Sequence, residues 1–370
     1  MLASADTSQS WHQLLDSVRA GDQPLLATSR RASRLGVFED IFVLSLKRRY
    51  DRRERMETLR SALGLNWTYA FATEAADPKV SLILDHIRAV RANYTQKDFF
   101  WPPPPPPPGP DLLMSLAGAE LWVIDPSDPH ASSATPPSDQ EYLPEIFLGD
   151  FTPFGKGALM TRPRIATYLS HMNLVRRIAD APDANYSALI LEDDVDADWN
   201  IQRTVRRVWD AHHALPEDWD MVYLGHCPPI GHDADARNSE AHFPHVPGAP
   251  ELRPSRGPWC THAYALSRNG ARRLLTHMRY ELFAFSRPVD NAYVHLIMNN
   301  RVKSFTFLPP VVVQVRDGVS DIWGTDMTGK VSKDDLVDST LERIALARLQ
   351  QQPAQSRIET DVKRHTDHPT

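Results

Sequence analysis

The chain has few cysteines and no long apolar run, and each absence excludes one class of protein. Only two cysteines occur in 370 residues, Cys227 and Cys260, which excludes a small fold held together by many disulfides. Whether these two are bridged stays open from the sequence. No apolar stretch approaches the roughly 20 residues that a bilayer-spanning helix needs, so we expect no transmembrane segment.

A strong net charge is also missing. The 41 Lys and Arg residues face 47 Asp and Glu residues, for a formal net charge of −6. Because nucleic-acid phosphates are bound by basic surfaces, this balance argues against a nucleic-acid partner. The N-terminus lacks the basic-then-apolar layout of a signal peptide. A cytoplasmic location is therefore the default expectation, and the secretory pathway stays open.

Strand and helix patterns alternate along most of the chain. This alternation predicts an α/β fold with a mostly parallel, doubly wound sheet and helices on both faces. The length of 370 residues exceeds the usual size of a single core, which favours one large domain with insertions or two domains. We expect a polar lead at 1–35, a main domain at 36–344 and a polar tail at 345–370 that frays.

The first βα unit is predicted at 41–63. A short β-rich run at 41–46 is followed by Met56, Leu59 and Leu63 at helical spacing, and Gly64 is placed to end the helix. Further helices are predicted at 81–92, 162–180, 200–213, 269–278 and 289–300, and further extended segments at 187–191, 219–225, 262–267 and 304–315.

A proline-rich insertion interrupts this pattern at about 95–145. Its most regular part, "WPPPPPPPGP" at 101–110, has seven consecutive prolines, which favour an exposed polyproline II rod. Such a rod suits an SH3- or WW-type partner. A stiff surface loop is the plainer interpretation and the one we favour.

The most informative stretch is "ALILEDDVDADWN" at 188–200. A buried strand runs directly into Glu192, Asp193 and Asp194, and ligands of open α/β sheets bind beyond the carboxyl ends of strands. Because alternate residues of an extended segment share a face, Glu192 and Asp194 are expected to face one site. Paired carboxylates suit a hard cation such as Mn²⁺ or Mg²⁺. The alternative is a solvated acidic loop, which the preceding apolar run makes less favourable.

Seven blocks in order resemble glycosyltransferase family 25, the family of lipopolysaccharide-type and collagen galactosyltransferases. They are "VLSLKRRYDRRERM", "RIATYLSHMNLVRRI", "ALILEDDV", "WDMVYLG", "HAYALSRNGARRLL", "VDNAYVHL" and "SDIWG". Together they cover about 40–324, and the proline-rich insertion departs from the compact bacterial members. The resemblance implies a GT-A type, Rossmann-like domain. It also implies a UDP-sugar donor, UDP-galactose first and UDP-glucose second, and inverting transfer to an unknown glycan or protein acceptor.

The resemblance also assigns expected roles around the donor. Asp194 is expected to contact the metal, with Glu192 as a second contact and Asp196 as an alternative partner of Asp194. Asp193 is expected to hold the ribose or a bridging water. The Ser-His pair, Ser170 and His171, is placed on the donor side, although a lone His on a helix is more often structural.

Two further groups complete the expected site. Arg52 and Arg53 follow the first strand, where guanidinium groups suit nucleotide phosphates; a solvated, salt-bridged helix face is the equal alternative. An inverting reaction needs a general base for the acceptor hydroxyl. Asp290 is the candidate, although an Asp after Pro-Val also suits a helix cap, and Asp321 is the weaker candidate.

Three alternatives accompany this hypothesis. In a haloacid-dehalogenase-like phosphohydrolase Asp194 would be a phosphorylated nucleophile, but Ala197 does not fit that motif and the other blocks stay unexplained. A catalytically inert transferase-like scaffold could present the polyproline rod to a partner. A zinc site at Cys227, Cys260, His226 and His262 has no standard spacing, and a disulfide is favoured over it.

Overall fold

The computed structural model describes residues 34–92, 142–143, 160–210, 215–227, 250–280, 282–315, 318, 320–322 and 336–351. Most of the proline-rich insertion, including the rod at 101–110, lies outside these ranges, as do 1–33 and 352–370. No helix within the described ranges has the length and apolar character that crossing a bilayer requires.

A seven-stranded sheet forms the centre of the fold, in the order β2-β1-β5-β9-β7-β10-β8. The strands of the described ranges are β1 Asp40–Ser45, β2 Thr68–Phe71, β3 Tyr142–Leu143, β4 Met160–Thr161, β5 Ser187–Glu192, β6 Val195–Ala197, β7 Met221–Cys227, β8 Glu251–Pro254, β9 Trp259–Ser267, β10 Ser304–Leu308 and β11 Val312–Gln314. Strand β6 pairs with β11 and β3 with β4 in two small antiparallel ribbons.

Helices cover both faces of the sheet. They are α1 Tyr50–Leu63, α2 Pro78–Ala92, α3 Arg162–Ala179, α4 Ile201–Asp210, α5 Arg268–Met278, α6 Val289–Met298 and α7 Thr340–Gln351. Helix α1 ends where the sequence predicted, because Gly64 takes the left-handed conformation (φ 63°) and its N–H bonds back to the last turn. The apolar stripe predicted at 162–180 is the buried face of α3.

Each face of the sheet has its own apolar core. In β5, Ala188 and Ile190 pack towards α2, α3, α5 and α6, whereas Leu189 and Leu191 pack towards α1, α4 and the β6–β11 ribbon. Strands buried on both faces read as continuous apolar runs, which is the pattern that "ALIL" shows.

The sheet is mostly parallel but mixed. Strand β9 lies antiparallel between β5 and β7, and β8 is antiparallel to β10 at the edge, while β2, β1, β5, β7 and β10 share one direction. The α/β class and the two helical layers agree with the sequence prediction, and the arrangement is consistent with a Rossmann-like fold. The reversed β9 was not foreseen.

Several predicted boundaries differ from the structure by a few residues, and three of the differences bear on the fold. The extended segment 304–315 divides at Pro309 and Pro310 into β10 and β11, which belong to different sheets. Strand β7 runs two residues past Gly225, the predicted end. Helix α7 continues to Gln351, so it crosses the expected start of the polar tail at 345.

The edge of the sheet away from the carboxyl ends is held by a buried acid, Asp220. Its side chain accepts hydrogen bonds from the Lys303 N–H at 2.8 Å and from Arg273 Nε at 3.2 Å. The Ser267 hydroxyl accepts the Gly270 N–H and so caps α5. These contacts draw α5 directly against the backbone of Asp220.

We expect Gly270→Ala to destabilise the protein strongly. A Cβ at this position would lie 2.1 Å from the carbonyl oxygen of Asp220, and that backbone is fixed on both sides. Overpacking against a rigid neighbour costs about 3 kcal/mol or more, which should appear as a thermal midpoint lower by roughly 6–12 °C. Asn269→Ala, at an exposed position of the same helical turn, is the control; equal midpoints for the two variants would refute the close approach.

Candidate functional site

Two polar segments meet where β1 and β5 end. Leu44 of β1 pairs with Glu192, the last residue of β5, so the Arg-rich turn after β1 lies beside the acids 192–194. This edge is where an open α/β sheet binds ligands.

Arg52 joins the two segments directly. Its Nη1 lies 2.9 Å from Asp193 Oδ1 and 3.1 Å from Asp194 Oδ2. Gln314 of β11 donates a further hydrogen bond to Asp194 Oδ2 at 3.2 Å. The predicted phosphate-side arginine and the predicted metal-side acids are therefore brought together.

The second oxygen of Asp194 lacks a compensating group. Asp194 is 7% exposed, and its Oδ1 is buried with no hydrogen-bond partner among the residues that the structure describes. Burial, aided by the negative charges of Glu192 and Asp193, raises the pKa of the Asp194 carboxyl to about 7. A buried carboxylate oxygen without a donor is a position that a cation can satisfy.

Glu192 lies in a different environment. The Thr261 hydroxyl donates to Glu192 Oε1 at 2.7 Å, and His171 Nε2 is 3.4 Å from the same oxygen. Burial alone would raise the pKa of Glu192, but the hydrogen bond and charge of His171, with the bond from Thr261, outweigh it and lower this pKa to about 2. Glu192 therefore stays ionised beside Asp194.

His171 links Glu192 to the core. Its ring is fully buried, and its Nδ1 is 2.9 Å from the Tyr264 hydroxyl, which in turn is 3.3 Å from the Tyr293 hydroxyl. His171 contacts Glu192 on one side and the aromatic core on the other, so its structural role is to hold Glu192 in place. Its predicted place on the donor side stays a prediction.

The Arg-rich turn presents further guanidinium groups. Arg48 and Arg49 both pair with Asp321, and Arg52 Nη2 is 3.9 Å from the same carboxylate. Asp321, the weaker base candidate, is thus engaged by arginines at the mouth of the site. Arg48 and Arg49 were missed as candidates, although they stand in the same "KRRYDRR" block that pointed to Arg52.

Arg53 and Ser170 are engaged elsewhere. Arg53 Nη1 donates to the Leu46 carbonyl at 2.6 Å and Nη2 to the Lys47 carbonyl at 2.8 Å, which braces the turn after β1. The Ser170 hydroxyl accepts the Thr73 N–H at 2.8 Å and donates to the Ala166 carbonyl at 2.6 Å. Both side chains fix loops that border the site, and direct donor contact by either stays a prediction.

Asp196 is held by the start of α7. Its Oδ2 accepts the Ser339 hydroxyl at 2.5 Å, and its Oδ1 accepts the Leu341 N–H at 3.2 Å and the Ala197 N–H at 2.8 Å. Burial raises its pKa despite these bonds. The structure therefore does not join Asp196 to Asp194 in one open cleft, because β6 turns it towards α7.

Asp290 lies at the start of α6, on the Glu192 side of the site. Its Oδ1 accepts the N–H of Asn291 at 2.9 Å. Burial, with the negative charge of Glu192, raises the pKa of Asp290, against an opposing effect of Arg164. Asp290 as a whole residue is half-buried. A carboxylate that is more basic than usual is suited to accept a proton.

A disulfide closes one side of this edge. Cys227, the last residue of β7, is bonded to Cys260 of β9, with Cα atoms 5.5 Å apart. The pairing of β7 with β9 is irregular here, since Gly225 pairs with Ala263 but Cys227 pairs with Trp259. The resulting bulge aims Thr261 at Glu192. Thr261 carried no sequence signal, because its role depends on this register shift.

The acids 192–194 offer part of a ligand set for the divalent cation that the sequence implies, and its binding there stays a prediction. Asp194 offers a buried carboxylate oxygen without a donor in the described part of the chain, whereas the carboxylates of Glu192, Asp193 and Asp194 do not gather into one cluster within 4.8 Å. The guanidinium of Arg52 offsets part of the negative charge of Asp193 and Asp194. The donor set is chemically suited to Mn²⁺ or Mg²⁺.

Comparison with known proteins gives one informative relative. A human protein (Homo sapiens) named "Inactive glycosyltransferase 25 family member 3" is 26% identical over 247 residues, which is 67% of this chain and 30% of the relative. The chain therefore spans about a third of that relative's length. No protein-family profile matches the chain. The likeness supports a scaffold of the glycosyltransferase type, and the relative is itself described as inactive.

Proposed function

We propose that this protein transfers a hexose from a UDP-sugar to an acceptor hydroxyl, with the help of a divalent cation and with inversion at the anomeric carbon. Galactose is the first choice of sugar and glucose the second. The observation that carries the proposal is the buried oxygen of Asp194 that has no hydrogen-bond partner among the described residues, beside Arg52. The distant glycosyltransferase 25 relative supports the same class.

In this proposal the acids hold the metal and the ribose, and the arginines bind the diphosphate of the donor. Asp194 would hold the metal with Glu192, and Asp193 would hold the ribose or a bridging water. The metal would supply Lewis-acid stabilisation of the departing nucleotide diphosphate. Arg48, Arg49 and Arg52 would bind phosphate oxygens, for which guanidinium forks are well shaped.

Asp290 would act as the general base. The acceptor oxygen forms a bond to the anomeric carbon, the bond from that carbon to the diphosphate oxygen breaks, and the hydroxyl proton passes to the Asp290 carboxylate. The raised pKa of Asp290 suits this step, because a base accepts a proton more readily as its pKa approaches the working pH.

Calorimetric titration tests the proposal. UDP-galactose is titrated into the purified protein with Mn²⁺ and then with a chelator, and UDP-glucose is the second ligand. We expect saturable binding that requires Mn²⁺, with UDP-galactose bound more tightly. A folded protein that binds neither nucleotide sugar in the presence of Mn²⁺ would refute the transferase proposal.

An inert scaffold is the second candidate, because the relative is described as inactive. Release of UDP from UDP-galactose, with water or a panel of glycan and peptide acceptors, separates the two. Metal-dependent binding without any release of UDP would favour the scaffold. The structure does not favour the phosphohydrolase alternative. Ser339 and the first turn of α7 engage both oxygens of Asp196, the second acid of that motif.

A further inference from the structure

The bulge at the start of β9 gathers three metal-ligating side chains. Cys227, Cys260 and His262 each offer one ligand atom, and the three atoms lie within 4.8 Å of one another. Around a tetrahedral Zn²⁺, thiolate and imidazole ligands lie about 2.3 and about 2.0 Å from the metal, so neighbouring ligand atoms are roughly 3.5–3.8 Å apart. The two sulfur atoms are bonded to each other and the imidazole nitrogen lies within 4.8 Å of both, so reaching that spacing requires the sulfur atoms to separate once the bridge is reduced.

The surrounding backbone is shaped to admit the histidine ring. A Cβ on Gly225 would lie 2.5 Å from His262 Nε2 and 2.2 Å from the Val312 carbonyl oxygen, so only glycine permits this approach. Cys260 takes a positive φ of 66°, a conformation that L-residues rarely adopt and that is retained where the surroundings require it.

One ring nitrogen of His262 contacts a backbone carbonyl. Its Nε2 is 3.4 Å from the Val312 carbonyl. A carbonyl oxygen only accepts, so this contact calls for the Nε2–H tautomer, in which Nδ1 carries the lone pair. A ring N–H directed at a backbone carbonyl orients the imidazole of a metal ligand.

We infer that Cys227, Cys260 and His262 form a site for a borderline-soft divalent cation, with Zn²⁺ as the representative, when the disulfide is reduced. A low-molecular-weight thiol reduces the bridge, giving two cysteine thiols and one molecule of the thiol's own disulfide. The cation then binds two thiolates and the imidazole, releasing two protons. Disulfide and metal are two alternative occupants of one place in the fold.

This site differs in chemistry from the carboxylate site. Thiolate and imidazole ligands select zinc-like cations, whereas carboxylate oxygens select Mn²⁺ or Mg²⁺. Three protein ligands leave a fourth position open, and both cysteines are half-buried, so reductant and cation can reach them. The inference does not depend on the proposed transferase activity.

Cobalt absorption tests the inference, with Co²⁺ as the probe. The protein is reduced with a phosphine, freed of reductant without oxygen and titrated with Co²⁺. Because the chain has only two cysteines, any thiolate-to-cobalt charge-transfer band must come from this pair. We expect one equivalent of Co²⁺ to give that band with tetrahedral visible bands, and one equivalent of Zn²⁺ to remove both. The oxidised protein should show neither.

Four variants sharpen the test. Cys260→Ser should lose most of the charge-transfer band, and His262→Gln should weaken cobalt binding at least tenfold. His226→Gln, beside Cys227 but outside the cluster, should bind as the wild type does. Asp194→Asn should also leave the spectrum unchanged, which separates this site from the carboxylate site. Circular dichroism, recorded before reduction, checks that each variant is folded.

Several outcomes would overturn the inference. These are a reduced, folded wild type without a thiolate band, a band that survives in Cys260→Ser, and equal affinity in His262→Gln. A reduced protein that unfolds and does not regain its circular dichroism with Zn²⁺ overturns it as well, because the site then has no fold to hold it.

Discussion

Asp194→Asn is expected to abolish Mn²⁺-dependent binding of UDP-galactose and, at the same time, to stabilise the metal-free protein. Asparagine keeps the shape and can still accept from Arg52, but it removes a buried negative charge that lies beside Glu192 and Asp193. Binding is measured by calorimetry, and stability by thermal unfolding in the presence of a chelator.

The stabilising effect has a defined pH range. The pKa of Asp194 is raised from 3.8 to about 7, so folding favours the protonated carboxyl. Its contribution to stability is complete below about pH 4 and is lost as the pH rises through about 7. The variant should therefore gain on the order of 4 kcal/mol at pH 8 and almost nothing near pH 4. Saturating Mn²⁺ should reverse the order by stabilising only the wild type.

Asp218→Asn is the matched control. Asp218 is an exposed acid that pairs with Lys303 at the other edge of the sheet, so its loss should change neither binding nor the pH dependence. Metal-dependent binding that survives in Asp194→Asn would show that Asp194 is not the metal ligand. A variant that is less stable than the wild type at pH 8 would contradict the description of Asp194 as an incompletely compensated charge.

Asp290→Asn is expected to lower the turnover number by about 10²–10⁴-fold, the usual contribution of a general base, while UDP-galactose binds with unchanged affinity. The asparagine oxygen can still accept the Asn291 N–H that Asp290 accepts now, so the start of α6 is preserved. Turnover is followed as UDP release with an accepting substrate, and binding by calorimetry.

Asp321→Asn provides the comparison for Asp290. Asp321 pairs with Arg48 and Arg49, and its loss frees these groups for phosphate, so the effect should fall on donor affinity and leave the turnover number close to wild type. If Asp321→Asn instead removes turnover and Asp290→Asn does not, the roles of the two acids are exchanged.

Features that depend on residues close together in the sequence could be predicted, whereas most contacts between distant segments could not. The apolar stripe at 162–180 and the glycine after α1 depend on residues a few positions apart, so helix positions were predictable. The direction of β9 was not, because an apolar strand has the same pattern whichever way it runs. Likewise, the Cys227–Cys260 bridge joins residues 33 positions apart that meet only through neighbouring strands.

The candidate site shows the same division. The block 192–194 was identifiable because a buried run ends in acids, and Arg52 was identifiable from its place after β1. Asp196 also fitted an alternating acidic pattern, but its direction is set by pairing of Val195–Ala197 with β11. Which arginines face the site depends on the turn geometry, so Arg48 and Arg49 could not be separated from Arg53 by sequence.

The reversed strand β9 has a consequence for how this protein can vary. Its first residues, 259–262, reach the ligand edge, and its last, Ser267, caps α5 at the opposite edge beside Asp220. The strand and the first turn of α5 therefore hold two groups of positions that selection can act on separately. Variation at 259–262 should alter chemistry while expression is kept, and variation at 267–270 should alter the yield of folded protein. A mutational library divided at Tyr264 would resolve these two phenotypes along the twelve residues 259–270.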